Sequence, residues 1–141
     1  MSKNLFFVFL LCTLFFISCK KDGDDPIVYD YHAHIQQPSG ADKVMGDLLF
    51  IDVEFESHSG ENVEHIKVRI FNKAETIEVY NEPDNPHLEG NVSDYQYTDQ
   101  FALTEANGVS PGDWVIEASV WGAEDGMDEV KERVEFHIHP Q

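Results

Sequence analysis

Val130–His139 reads Val-Lys-Glu-Arg-Val-Glu-Phe-His-Ile-His, and its alternation decides the fold class. Val130, Glu132, Val134, Phe136 and Ile138 share one phase; Lys131, Arg133, Glu135, His137 and His139 share the other. Successive side chains of an extended chain point to opposite faces. A period of two in the apolar residues therefore marks a strand with one buried face. Glu132 is the only polar residue in the apolar phase. The outward phase ends in a His-x-His pair. Tyr31-His32-Ala33-His34-Ile35 repeats that pattern far upstream.

The same alternation recurs between these two ends. Ile27–Gln36 is the first expected strand, with Tyr29, Tyr31, Ala33 and Ile35 inward. Gly46–Ser57 buries Leu49, Ile51, Val53 and Phe55 and turns Asp52, Glu54 and Glu56 outward. His58-Ser59-Gly60-Glu61 is a turn, and Asn62–Asn72 returns with Ile66, Val68 and Ile70 inward. Thr76–Tyr80 is a short strand. Asn81–Ser93, with Pro83, Asp84, Asn85, Pro86 and Gly90, is a loop too long for a simple turn. Tyr95–Leu103 and Asp113–Gly122 complete the set, the latter with Trp114, Ile116, Ala118 and Val120 in phase. Asn107-Gly108, Pro111-Gly112 and Asp125-Gly126 punctuate the connections. No stretch carries a helical period. About seven short strands with regular turn signals predict an all-β, immunoglobulin-like β-sandwich.

The 141 residues suffice for one domain, expected over residues 27–141. Lys3 and the apolar run Leu5–Ile17 have the make-up of a signal peptide covering residues 1–18; the run is shorter than the ~20 residues of a membrane-spanning helix. Phe16-Ile17-Ser18-Cys19 resembles the lipobox of bacterial lipoproteins, with Phe in place of the usual Leu. That resemblance implies lipidation of Cys19. Residues 19–26 then form a charged tether, and Lys20–Asp25 is similar to the export tag of surface-exposed Bacteroidetes lipoproteins. The implied location is the outer membrane of a Gram-negative bacterium. Ile35-Gln36-Gln37-Pro38, Gly46-Asp47 and Pro111-Gly112-Asp113-Trp114 resemble the layout of an uncharacterised immunoglobulin-like domain of Bacteroidetes lipoproteins, a family with no activity to carry over.

The chain has two cysteines, Cys12 in the apolar run and Cys19, so no disulfide framework or thiolate metal site is expected. Once Lys3 is removed, eight basic residues face 27 acidic ones, a net charge of −19. Such a surface repels nucleic acid and attracts cations or a basic protein partner. The other expected partner is the membrane, through the lipid, and the chain is expected to be a monomer.

Two imidazoles at i and i+2 of a strand point the same way, about 6.5–7 Å apart, and can converge on one cation. His32, His34, His137 and His139 are therefore the candidate metal ligands, with His65 as a further donor. An all-nitrogen set suits copper(II) or zinc. The acidic loops at Asp84–Asp94 and Glu124–Glu129 lack the spacing of a calcium loop and read as solvated. No nucleophile elbow, zinc-protease helix or phosphate loop is present, so binding rather than catalysis is expected. Trp114 falls in a buried phase. Trp121 is out of phase with it and is the candidate for ligand contact, as in a glycan-binding or surface-interaction module without metal, the alternative function.

Overall fold

The computed structural model describes residues 29–123 and 128–141. The expected signal peptide, the expected lipidation site Cys19, the expected tether, Ile27, Val28, Glu124 and Asp125 lie outside the described residues. Among those described, no helix is long and apolar enough to cross a membrane.

The chain forms two packed sheets. Strands β1 (Tyr31–Gln37), β3 (Leu48–Ser57) and β6 (Asp94–Ala102) make one, in the order β1-β3-β6. Strands β2 (Lys43–Val44), β8 (Val130–His139), β7 (Gly112–Trp121), β4 (His65–Asn72) and β5 (Glu78–Glu82) make the other, in the order β2-β8-β7-β4-β5. Chain connections cross between sheets after β1, β2, β3, β5 and β6, while β4–β5 and β7–β8 are adjacent antiparallel pairs. This is the immunoglobulin-like sandwich that the alternation predicts. The seven long strands match the seven expected segments to within a few residues at their ends. β2 is the additional one: the chain leaves β1, crosses over and pairs parallel with the end of β8, Lys43 opposite Ile138.

The inward phases meet as expected. Leu49, Ile51, Val53 and Phe55 of β3 are buried against Ile66, Val68 and Ile70 of β4 and Trp114, Ile116 and Ala118 of β7. Phe136 and Ile138 of β8 close this core, Phe136 opposite Trp114 and Ile138 opposite Gly112. Trp114 is the largest fully buried side chain, and its indole N–H donates to the Ser110 carbonyl at 2.8 Å.

β7 is buried on both faces from Trp114 to Val120, because its outer face is roofed by side chains of β4 and β8. Phe71 is in the outward phase of β4, yet it is 3% exposed. The guanidinium groups of Arg69 and Arg133 lie over its ring at 5.1 and 5.5 Å.

The sheet edges are sealed differently at the two seams. At one, the hydroxyl of Tyr80 on β5 donates to the Asp99 carboxylate of β6 at 2.5 Å and meets the Tyr97 hydroxyl at 2.5 Å. Burial and the neighbouring carboxylate push both phenols above the ordinary tyrosine value. At the other seam β1 lies beside β8. Glu132, the odd residue of the inward phase, sits there rather than in the core and reaches to 3.9 Å from His34 Nδ1.

Candidate metal centre

The outer face of the three-stranded sheet is built by alternation. β1 presents His32 and His34, with Asp30 just before it, and β3 presents Asp52, Glu54 and Glu56. The antiparallel register sets His32 opposite Glu56 and His34 opposite Glu54. The ladder runs one step past β3, where the His58 backbone N–H donates to the Asp30 carbonyl at 2.9 Å. That bond brings His58, a turn residue in sequence terms, onto the strand face beside β1.

The result is a compact donor cluster. The His32 and His58 rings are 4.7 Å apart, and His34 stacks parallel to His32 at 5.9 Å. His32 Nε2 is 3.0 Å from Asp30 Oδ1, and His58 Nε2 is 3.1 Å from Glu56 Oε2. His34 Nε2 stands 3.7 Å from the same Glu56 oxygen. One donor atom each from Asp30, His32 and His58 lies within 4.8 Å of the other two. Ligands around a zinc or copper ion sit near 2 Å from it, so small side-chain movements close this set on a cation.

Charge is segregated between the sheets. The described lysines and arginines are Lys43, Lys67, Arg69, Lys73, Lys131 and Arg133. All of them belong to the five-stranded sheet or to the turn after β4. The described three-stranded sheet has none, and its outer face carries Asp52, Glu54, Glu56 and Asp94. A face with one sign of charge raises the local concentration of counter-ions, here cations.

The four histidines predicted as one centre fall on two sheets. β1 turns its outward phase to one side of the sandwich and β8 turns its own to the other. His34 does approach β8, but at Glu132. From there to His137 the strand runs five residues, about 16 Å at its rise per residue. Among the described residues, His34, His137 and His139 belong to no group of three donors within 4.8 Å. His137 Nδ1 instead holds Asp113 at 2.7 Å, and His139 Nε2 holds Asp42 at 2.9 Å. These contacts keep both carboxyls below the ordinary aspartate value. His65 joins a second group, with Glu64 and His87. His58 falls in the expected 58–61 turn and His87 in the expected 81–93 loop, and these are the donors that the sequence does not bring into a site. Their signal lay in strand pairing, which alternation alone does not give.

Among the acidic loop residues, Asn85 Oδ1 accepts the His87 backbone N–H at 3.2 Å and Glu129 pairs with Lys131 at 3.1 Å. Trp121 ends β7 and stacks on His65, centroids 5.2 Å apart and planes 5° from parallel.

No protein-family model matches the sequence, and neither does any curated protein. Solved structures do match. The crystal structure of the CARDB domain of a Pyrococcus furiosus protein, in complex with di-metal ions, is 14% identical. It aligns with 82% of this chain and 97% of its own at a TM-score of 0.53. The solution structure of the same domain is 17% identical, with 77% and 94% covered and a TM-score of 0.47. CopC from Methylosinus trichosporium OB3b is 19% identical, with 77% and 95% covered and a TM-score of 0.42. The first of these, at a TM-score of 0.53, shows a shared β-sandwich fold.

Proposed function

We propose that this chain is a lipid-anchored cell-envelope protein of a Gram-negative bacterium that binds a divalent transition metal. Zinc or copper(II) would be held by Asp30, His32 and His58, with His34 and Glu56 beside them. The observation that carries the reading is the convergence of those three donors on a sheet face devoid of lysine and arginine. Two imidazoles and a carboxylate suit zinc and copper(II), and three protein donors leave a position open to water or to an incoming ligand. The side chains of His32 and His58 are 40% and 56% exposed, as befits a site that takes up and hands over its ion. Binding, with sequestration or transfer as its purpose, is preferred over catalysis. The anchoring rests on the Phe16–Cys19 motif.

Calorimetric titration of the purified protein with zinc and copper(II) at neutral pH tests the site. Binding in the micromolar range or tighter is expected. Replacing His32 and His58 together by alanine should remove one equivalent of metal. Replacing His137 and His139 should leave the isotherm unchanged. An unmutated protein that binds neither metal would defeat the proposal.

A second reading, a glycan-binding module, gains support at a different aromatic from the one expected. Phe50 on β3 is 57% exposed beside an open depression of about 480 Å³ lined by Gln37, Asp52, Thr98, Asp99 and Gln100. An exposed ring among amide and carboxylate groups suits the apolar face and hydroxyls of a sugar. On this reading Phe50→Ala abolishes retention on a glycan array and Trp121→Phe does not. Equal retention by Phe50→Ala and the unmutated protein rejects it.

A further inference from the structure

We infer that the start of β4 and the loop after β5 form a second metal site, made by Glu64, His65 and His87 and independent of the first. One donor atom from each lies within 4.8 Å of the others. Proximity is the weaker half of the argument. The stronger half is how His65 is held.

His65 Nδ1 lies 2.8 Å from the backbone carbonyl of Gly122. A carbonyl only accepts, so Nδ1 donates, and in the neutral ring Nε2 then keeps its lone pair. Histidines that bind metals are typically oriented in this way, with the second ring nitrogen donating to a carbonyl or carboxylate. The ring is clamped further by Trp121 on β7 and by His87, whose centroid is 5.0 Å away. A Cβ at residue 122 would stand 2.6 Å from the hydroxyl of buried Tyr31, which donates to the Asn62 carbonyl at 3.0 Å. Glycine here lets Tyr31 pack beneath the backbone that orients His65.

The loop between β5 and β6 delivers the other imidazole. Instead of turning directly it folds back along residues 62–66. Ile66 N–H donates to the Pro86 carbonyl at 3.0 Å, and Leu88 N–H donates to the Glu64 carbonyl at 2.7 Å. These bonds flank an isolated antiparallel bridge between His65 and His87. The Val63 N–H bond to the Val92 carbonyl, 2.7 Å, ties down the loop's far end. A loop of this length earns its place when it carries function. Here its backbone bonds hold His87 across from His65, with Glu64 alongside.

Two imidazoles and one carboxylate again select a borderline divalent ion, copper(II), nickel(II) or zinc, over calcium or magnesium. The inference does not depend on the first site, since the two share no residue. Trp121 supplies a private readout. Copper(II) is paramagnetic and quenches an indole that lies against its ligand.

The purified protein is titrated with copper(II) while tryptophan fluorescence is followed. Saturable quenching is expected, unchanged when His32 and His58 are both alanine. In His87→Ala, an exposed loop change, the quenching midpoint should rise at least about tenfold, the 1.4 kcal/mol equivalent of one lost ligand. Quenching that is absent from the unmutated protein overturns the inference, as does quenching that survives intact in His87→Ala. Calorimetric binding lost only with His32 and His58 would leave the first site standing and remove this one.

Discussion

Replacing Arg69 and Arg133 together by methionine is expected to destabilise the fold by about 3 kcal/mol, the low end of what an orphaned buried charge costs. Glu117 is the reason. It sits at the centre of β7 and is 1% exposed, though in the outward phase. Its Oε1 accepts from Arg69 Nη1 at 3.2 Å, and its Oε2 accepts from Arg133 Nε at 2.6 Å and Nη2 at 2.5 Å. The arginines themselves reach water, so part of the loss is recovered by solvent entering where they were. Arg133 is also held by Glu75, and Arg69 by Glu78 at 2.5 Å. A single replacement leaves one guanidinium on the carboxylate and should cost about half as much. The decisive comparison adds Glu117→Leu to the double variant. With the charge gone, three apolar side chains over Phe71 should recover most of the lost stability, since removing a buried ion pair whole is often neutral. Denaturant unfolding of the series measures this. If the double variant proves no less stable than the triple, Glu117 is not the charge that the arginines neutralise.

That network also shows where the sequence stops being legible. Period-two alternation in β3, β7 and β8 assigned the core side of those strands, because one buried face forces the pattern. It could not assign Phe71, which is outward by phase and covered by Arg69 of its own strand and Arg133 of β8. It could not find β2 either, since two residues carry no period. The change of sheet falls after the expected first strand, between Gln37 and Lys43.

The donor residues obey the same limit. Alternation correctly put both His-x-His pairs outward. Outward means opposite directions on opposite sheets, so correct phases led to an incorrect joint centre. What joins His32 to His58 is the register of β1 against β3, and what joins His65 to His87 is a loop folded back on its own strand. Both are pairings between distant segments, which a single sequence does not print. Glu132 is the converse case. It looked like a flaw in the apolar phase of β8, and it marks the place where β8 leaves the core and meets β1.

Zinc should stabilise the protein against heat through both sites. A ligand that binds only the folded state adds about 2.7 kcal/mol per site at one hundred times its dissociation constant. For a domain of this size each kcal/mol raises the melting temperature by roughly 4 °C, so one filled site is worth about ten degrees. The gain has a structural route at each site. β1 is an edge strand bonded only to β3, and an ion shared by Asp30, His32 and His58 would pin its start to the end of β3. An ion shared by Glu64, His65 and His87 would pin the long loop to β4. Because the residues do not overlap, the effects should add. His58→Ala should lose one increment, His87→Ala the other, and the two together the whole response, while melting in a chelator stays nearly unchanged for all. Thermal melts with excess zinc and with chelator measure this. A zinc-dependent rise that persists undiminished in the double variant would place the binding elsewhere on the chain. Absence of any rise in the unmutated protein would mean that the folded state holds no zinc at either cluster.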